Sequence, residues 1–261
     1  MKSKYFLTAF LSISVTVLVA QTVNFETLRK QTDTSRFVIA AGINFDYSDT
    51  DGDYIYKLGA EAGVQLKSKD SLNIYFFVAN YQLIRSEGQD FLDNWFAHIR
   101  YNYKLSKVIR IEAFAQTQHN QLLEISARNL IGAGIRLKLI QNNELFKMYL
   151  GNTYMYEVEE SSTFNTRFYD HRNSTYFSVS FTSKESKIEI TNTVYYQPLY
   201  SDFSDYRILD EFVVKMPITK TLEFNCAFNY YLDNVIPSGN REYYANISLG
   251  LGYTFGSNKN W

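Results

Sequence analysis

The chain has little that would staple, kink or anchor it. Its 261 residues include one cysteine, Cys226, and three prolines. A lone thiol closes no internal disulfide, and its distance from the N-terminus excludes a lipid-anchored cysteine behind an export signal. So few prolines leave long extended segments uninterrupted. Neither sign of charge dominates. There are 26 Lys and Arg against 27 Asp and Glu, a net charge of −1 that argues against a nucleic-acid partner, for which a basic surface is the footprint. Past the N-terminal segment, no apolar run approaches the ~20 residues a membrane-spanning helix needs.

That N-terminal segment has the form of an export signal. Lys2 and Lys4 precede an uncharged apolar stretch from Tyr5 to Val19, followed by Ala20-Gln21. The pattern predicts cleavage after Ala20 and a mature chain beginning at Gln21. As a membrane anchor it is short and is followed by polar sequence.

Aromatic residues are abundant: 22 Tyr and 20 Phe. They suit strands, and a tyrosine surplus is expected where rings sit at both interfaces of a bilayer. From Thr34 to Phe255 the chain alternates apolar and polar residues through roughly twelve segments, the pattern of a closed antiparallel transmembrane β-barrel. At the end of the chain Ala245, Ile247, Leu249, Leu251, Tyr253 and Phe255 share one parity, and Asn246, Ser248, Gly250, Gly252 and Thr254 take the other. The segments fall near 36–47, 54–67, 72–85, 91–105, 108–121, 125–140, 145–158, 174–182, 187–197, 206–217, 222–232 and 242–255. The third is apolar on both parities, so its facing stays open.

Short and longer connections alternate, as turns and loops do at the two ends of such barrels. The short ones lie at 68–70, 106–107, 141–144, 183–186 and 218–221. The long ones are expected at Glu159–Asn173, Pro198–Asp205 and Asp233–Arg241. An even strand number places both termini at the short-turn end, in the periplasm, with residues 21–33 as a lead-in and 34–261 as the barrel. Lys69, Lys107, Lys184 and Lys220 cluster at the short turns. A soluble sandwich or lipocalin-like barrel also alternates, but its strands are usually ~5–6 residues and it needs no aromatic bands.

Two motifs, Asn94-Trp95-Phe96-Ala97-His98-Ile99-Arg100-Tyr101-Asn102-Tyr103 and Arg128-Asn129-Leu130-Ile131-Gly132-Ala133-Gly134-Ile135-Arg136, resemble the salt-induced outer-membrane protein family, domain of unknown function 481. His171-Arg172-Asn173-Ser174-Thr175-Tyr176-Phe177-Ser178 and Val23-Asn24-Phe25-Glu26 are similar to it as well. The resemblance implies an outer-membrane barrel and carries no catalytic or binding residue across. Barrels of this kind usually end on an aromatic that the insertion machinery recognises; here Phe255 and Trp261 both qualify.

The polar parity supplies the candidate lumen lining. Glu61, His98, Arg100, Arg110, Glu112, Arg128 and Arg136 come from the first half of the chain, with Lys104, Gln116 and Lys138 beside them. Glu189, Arg207, Glu211 and Glu223 come from the second half, with Lys215. Opposed charges across a narrow barrel can constrict a pore and set its ion preference, or can pair and fill the interior. Both readings remain open, and with them passive diffusion of small solutes or ions and a purely structural role.

A second class, a surface-binding module, would act through the loops at Glu159–Asn173 and Asp233–Arg241. A lipid hydrolase would need a hydroxyl and an imidazole within hydrogen-bond reach. His171 and Ser174 are the nearest such pair, but their i, i+3 spacing turns them to opposite faces of a strand, so no catalytic residue is assigned. Asp49-Thr50-Asp51-Gly52-Asp53 resembles half of a calcium loop without its distal Glu and reads as a tight hairpin. No metal or cofactor is expected. The expected partners are membrane lipid, the insertion machinery and small solutes or ions, not nucleic acid.

Overall fold

The structure is a computed structural model that describes residues 35–50, 53–86, 92–121, 125–140, 145–162, 166–235 and 242–257. The expected signal peptide, the lead-in and Trp261 lie outside the described residues. Twelve strands follow in order: β1 Phe37–Thr50, β2 Asp53–Lys67, β3 Asn73–Ser86, β4 Leu92–Lys104, β5 Ile109–Asn120, β6 Ile125–Ile140, β7 Phe146–Ser161, β8 Arg167–Thr182, β9 Glu189–Pro198, β10 Tyr206–Pro217, β11 Leu222–Asp233 and β12 Glu242–Ser257. Each pairs antiparallel with its sequence neighbours, and β12 closes on β1 from Phe37↔Ser257 to Phe45↔Leu249. Closure leaves no sheet edge, the condition for crossing lipid with strands.

One parity of every strand points outward and is mostly apolar, interrupted by Asn152, Asn173 and Thr175 on β7 and β8 and by the Asn192–Asp210 pair on β9 and β10. Ile43, Ile99, Ile131, Leu249 and Ile247 are exposed there, Ile247 at 65%. Aromatic rings bracket this belt. Tyr75, Phe181, Tyr253 and Phe255 lie toward the end that carries the chain termini, and Trp95, Tyr169, Tyr196 and Tyr200 toward the opposite end, here called the loop end. A belt of aliphatic side chains between two aromatic girdles is the outer surface a bilayer requires.

Pairing settles the third strand. Gln65 stands opposite Phe76 and Gly63 opposite Val78, so the even residues of β3 face inward. Ile74, Phe76, Val78, Asn80, Gln82 and Ile84 are all buried.

The long connection expected at Glu159–Asn173 is not a long loop. β7 continues to Ser161 and β8 restarts at Arg167, seven residues before the expected strand start at Ser174, paired from Glu160↔Arg167 to Phe146↔Phe181. Charged and polar residues masked the alternation: Glu157 and Glu159 point inward to arginines, and His171 and Asn173 point outward. The turn at Asp49–Asp53 brings Thr50 opposite Asp53, as a tight hairpin does; its tip, residues 51–52, lies outside the described residues.

Candidate functional site

Inward parity collects the polar residues into two layers. At the loop end, Arg207 on β10 donates from Nη1 to Glu157 on β7 at 2.6 Å and from Nε to Asp233 on β11 at 2.7 Å. Arg128 on β6 donates from Nε to Glu159 at 2.6 Å and lies 3.6 Å from Glu157. The Tyr231 hydroxyl donates to Asp233 at 3.0 Å. Two guanidinium groups thus meet three carboxylates, and the cluster ties β6, β7, β10 and β11 together. Arg172 extends it, donating to Asp170 at 3.1 Å and to Asp205 in the β9–β10 loop at 2.9 Å.

The second layer lies nearer the termini. Arg100 donates to Glu112 at 3.2 Å, and Arg136 lies 3.6 Å from the other oxygen of the same carboxylate. The Tyr176 hydroxyl donates to Glu112 at 2.7 Å. Arg136 also sits over the Tyr149 ring at 3.9 Å, a cation–π contact. Arg136 and Glu112 are 0% exposed. Glycine makes this layer possible. A Cβ on Gly151 would fall 2.0 Å from the Tyr176 ring, and one on Gly132 would fall 2.4 Å from Phe114, so both rings lie flat on the bare wall.

Between the layers, His98 shares a 2.9 Å hydrogen bond with Gln116, whose amide donates to Gln118 at 2.6 Å. Thr193 donates to Ser178 at 2.9 Å and Gln197 to Ser174 at 3.0 Å. The inner cavity lined by His98, Met155 and Tyr231 is about 50 Å³, enough for water and little else. The sector from β4 to β10 is therefore filled.

The opposite sector differs. Inward residues of β11, β12 and β1, namely Asn225, Ala227, Asn229, Ser248, Gly250, Gly42 and Asn44, retain accessible surface, as does Glu61 on β2. Asp46 and Lys57 stand directly opposite each other on this side, and Lys215 lies 3.6 Å from Glu223. Of the residues singled out from sequence, Glu61 and Glu223 lie in this accessible sector. His98, Arg100, Glu112, Arg128, Arg136 and Arg207 lie in the filled one. Arg110 and Glu189 point inward at the termini end, and Glu211 points inward on β10. Sequence reading passed over Glu157, Glu159, Arg172 and Asp233, the partners that close the loop-end cluster. The alternation running through Tyr156-Glu157-Val158-Glu159 was the available signal.

His171 and Ser174 do not meet. His171 is exposed on the outer face, its Nδ1 2.5 Å from the Tyr154 hydroxyl, and Ser174 is buried in the interior. Among the described residues no group of three His, Cys, Asp or Glu side chains could hold a metal ion.

A closed antiparallel barrel with an apolar outer belt and a polar, charged interior defines the class of outer-membrane-type β-barrels. An outer membrane channel from Pseudomonas putida F1 has a similar fold, with TM-score 0.54 and 8% identity over 87% of this chain and 97% of that one. The NanC porin is similar at TM-score 0.47 and 9% identity, over 85% and 99%. LpxR from Salmonella typhimurium is similar at TM-score 0.47 and 8% identity, over 84% and 100%. At such identities the likeness concerns the fold alone. No curated protein matches the sequence. The chain belongs to the family described as Protein of unknown function, DUF481, whose model matches residues 31–255.

Proposed function

We propose that this barrel lies in the outer membrane, exported by its N-terminal segment, and passes small hydrophilic solutes or ions along an off-axis path. The path follows the wall formed by β11, β12, β1 and β2, where Asn44, Asn225, Asn229 and Ser248 offer amides and hydroxyls. One observation carries the reading: inward Asn44, Glu61, Asn225, Asn229 and Ser248 keep accessible surface along that wall, whereas most inward side chains from β4 to β10 are buried. An interior built only to be filled would bury both sectors alike. The ion pairs then act as a wall that narrows the lumen to one side.

In this reading the loop end faces outward and the termini end faces the periplasm. Lipid contacts the belt, and the insertion machinery acts on the last strand. The role we propose is passive, and the pair weighed for hydrolysis, Ser174 and His171, projects to opposite sides of β8.

Single-channel recording of the refolded chain in a planar bilayer tests the proposal. Discrete steps that shrink when Asn229→Trp is introduced support the path. A chain shown by circular dichroism to be a barrel, yet electrically silent, would sink it.

A further inference from the structure

We propose that the termini end of the lumen is a vestibule that binds anionic solutes bearing carboxylate or phosphate groups and biases the passage toward them. The inference rests on the diffusion reading and adds the class of solute.

The observation is a row of cations at one mouth. Lys104 on β4, Arg110 on β5, Lys138 on β6 and Lys147 on β7 share the inward parity at the termini end. Arg36, just before β1, and Lys67, at the end of β2, occupy the same level, joined by a Lys67 N–H to Arg36 carbonyl bond of 2.8 Å. The carboxylates at that level, Glu189 on β9 and Glu223 on β11, sit on the far side, each beside Lys215. Among the described residues of β4 to β7, no carboxylate lies at the mouth; Glu144, in the β6–β7 connection, falls outside them. Glu112 lies deeper and is already held by Arg100, Arg136 and Tyr176.

Register makes the arrangement costly without a counter-charge. Lys104 stands directly opposite Arg110, and Arg110 directly opposite Arg136. Directly opposed like charges destabilise an antiparallel pair, and three in a row do so twice. Lys104, Arg110 and Lys138 have no ion-pair partner among the described residues. All three retain partial exposure, so water screens them in the free protein. A multivalent anion at the mouth would relieve the repulsion, and Arg110 supplies the planar fork that carboxylate and phosphate favour. The turns outside the mouth keep a basic excess, with Lys69, Lys107, Lys184, Lys187 and Lys220 exposed against Asp70 and Glu185. A basic funnel at one mouth concentrates anions there, more strongly at low salt.

The test uses tripolyphosphate as the probe and the triple variant Lys104→Gln, Arg110→Gln, Lys138→Gln, with heat-modifiable electrophoretic mobility confirming that the barrel forms. Titration calorimetry of the refolded chain should give saturable binding that weakens as potassium chloride is raised. The triple variant should bind at least roughly tenfold more weakly, the loss expected when one strong charged contact or more is removed. In planar bilayers under a salt gradient, the reversal potential should show anion preference in the natural chain and lose it in the variant. Absent binding, binding unchanged in the variant, or a cation preference would overturn the proposal. Electrical silence would defeat the diffusion reading by itself, and calorimetry would still decide the vestibule.

Discussion

The Arg207 guanidinium donates to Glu157 and Asp233 at once, at 2.6 and 2.7 Å, joining two strands that lie on opposite sides of β10 in the barrel wall. All three side chains are buried, so the cluster is desolvated and each charge depends on its partners. Arg207→Met would leave Glu157, Glu159 and Asp233 with Arg128 as the nearest cation. The expected loss is about 3–5 kcal/mol of unfolding free energy, the cost of stranding a buried charge. Urea unfolding of the vesicle-embedded chain measures it, and the double variant Arg207→Gln, Glu157→Gln should lose less than Arg207→Met alone.

Gly151 tests the packing of the other layer. A side chain there meets the Tyr176 ring at 2.0 Å, so Gly151→Val must displace the ring that holds Glu112. The expected cost is about 1–3 kcal/mol, typical of overpacking. Adding Tyr176→Leu should recover part of it; no recovery would mean that the clash lies elsewhere.

The two faces of β12 predict opposite tolerance. Ile247 is the most exposed of the outward aliphatic side chains named above, and Ser248 faces the accessible sector of the lumen. Ile247→Arg should destabilise the barrel by about 2–4 kcal/mol if that position lies near the bilayer midplane. Ser248→Arg should fold normally and instead lower conductance.

In the β9–β10 loop, the Ser204 hydroxyl donates to Asp202 at 2.6 Å and the Ser204 N–H donates at 2.9 Å. These bonds hold the Asp202 carboxyl below its usual range. A depressed value means that the contribution to loop order is fully present above the ordinary carboxyl pKa of about 3.9 and is lost as pH falls through the lower folded value. Carbon-13 shifts of the Asp202 carboxyl should titrate below that of a free aspartate. Ser204→Ala should move the titration back up.

Much of the architecture was legible because a closed barrel writes its two faces into alternate residues. Leu58, Ala60, Ala62 and Val64 against Lys57, Glu61 and Gln65 gave the facing of β2 from sequence. On β3 both parities are apolar, and only pairing with Gly63 and Gln65 shows which one turns inward. The extension of β8 to Arg167 was missed because its inward charges, Asp170 and Arg172, and its outward His171 and Asn173 read as loop. Parity also says nothing about partners. Arg207 and Glu157 are 50 residues apart, and no local pattern pairs them. The same limit hid the division of the lumen into a filled and an accessible sector, which depends on where glycines let rings lie against the wall.

Thiol scanning of the lumen tests that division most directly. With Cys226→Ser as background, single cysteines replace Asn225, Asn229 and Ser248 on the accessible side and Thr153, Ser178 and Thr193 on the filled side. The folded chain in vesicles is then exposed to a small membrane-impermeant thiol reagent. The account predicts rapid modification of the first three and protection of the last three until the barrel is unfolded. Equal modification of both sets, or protection of all six, would contradict it.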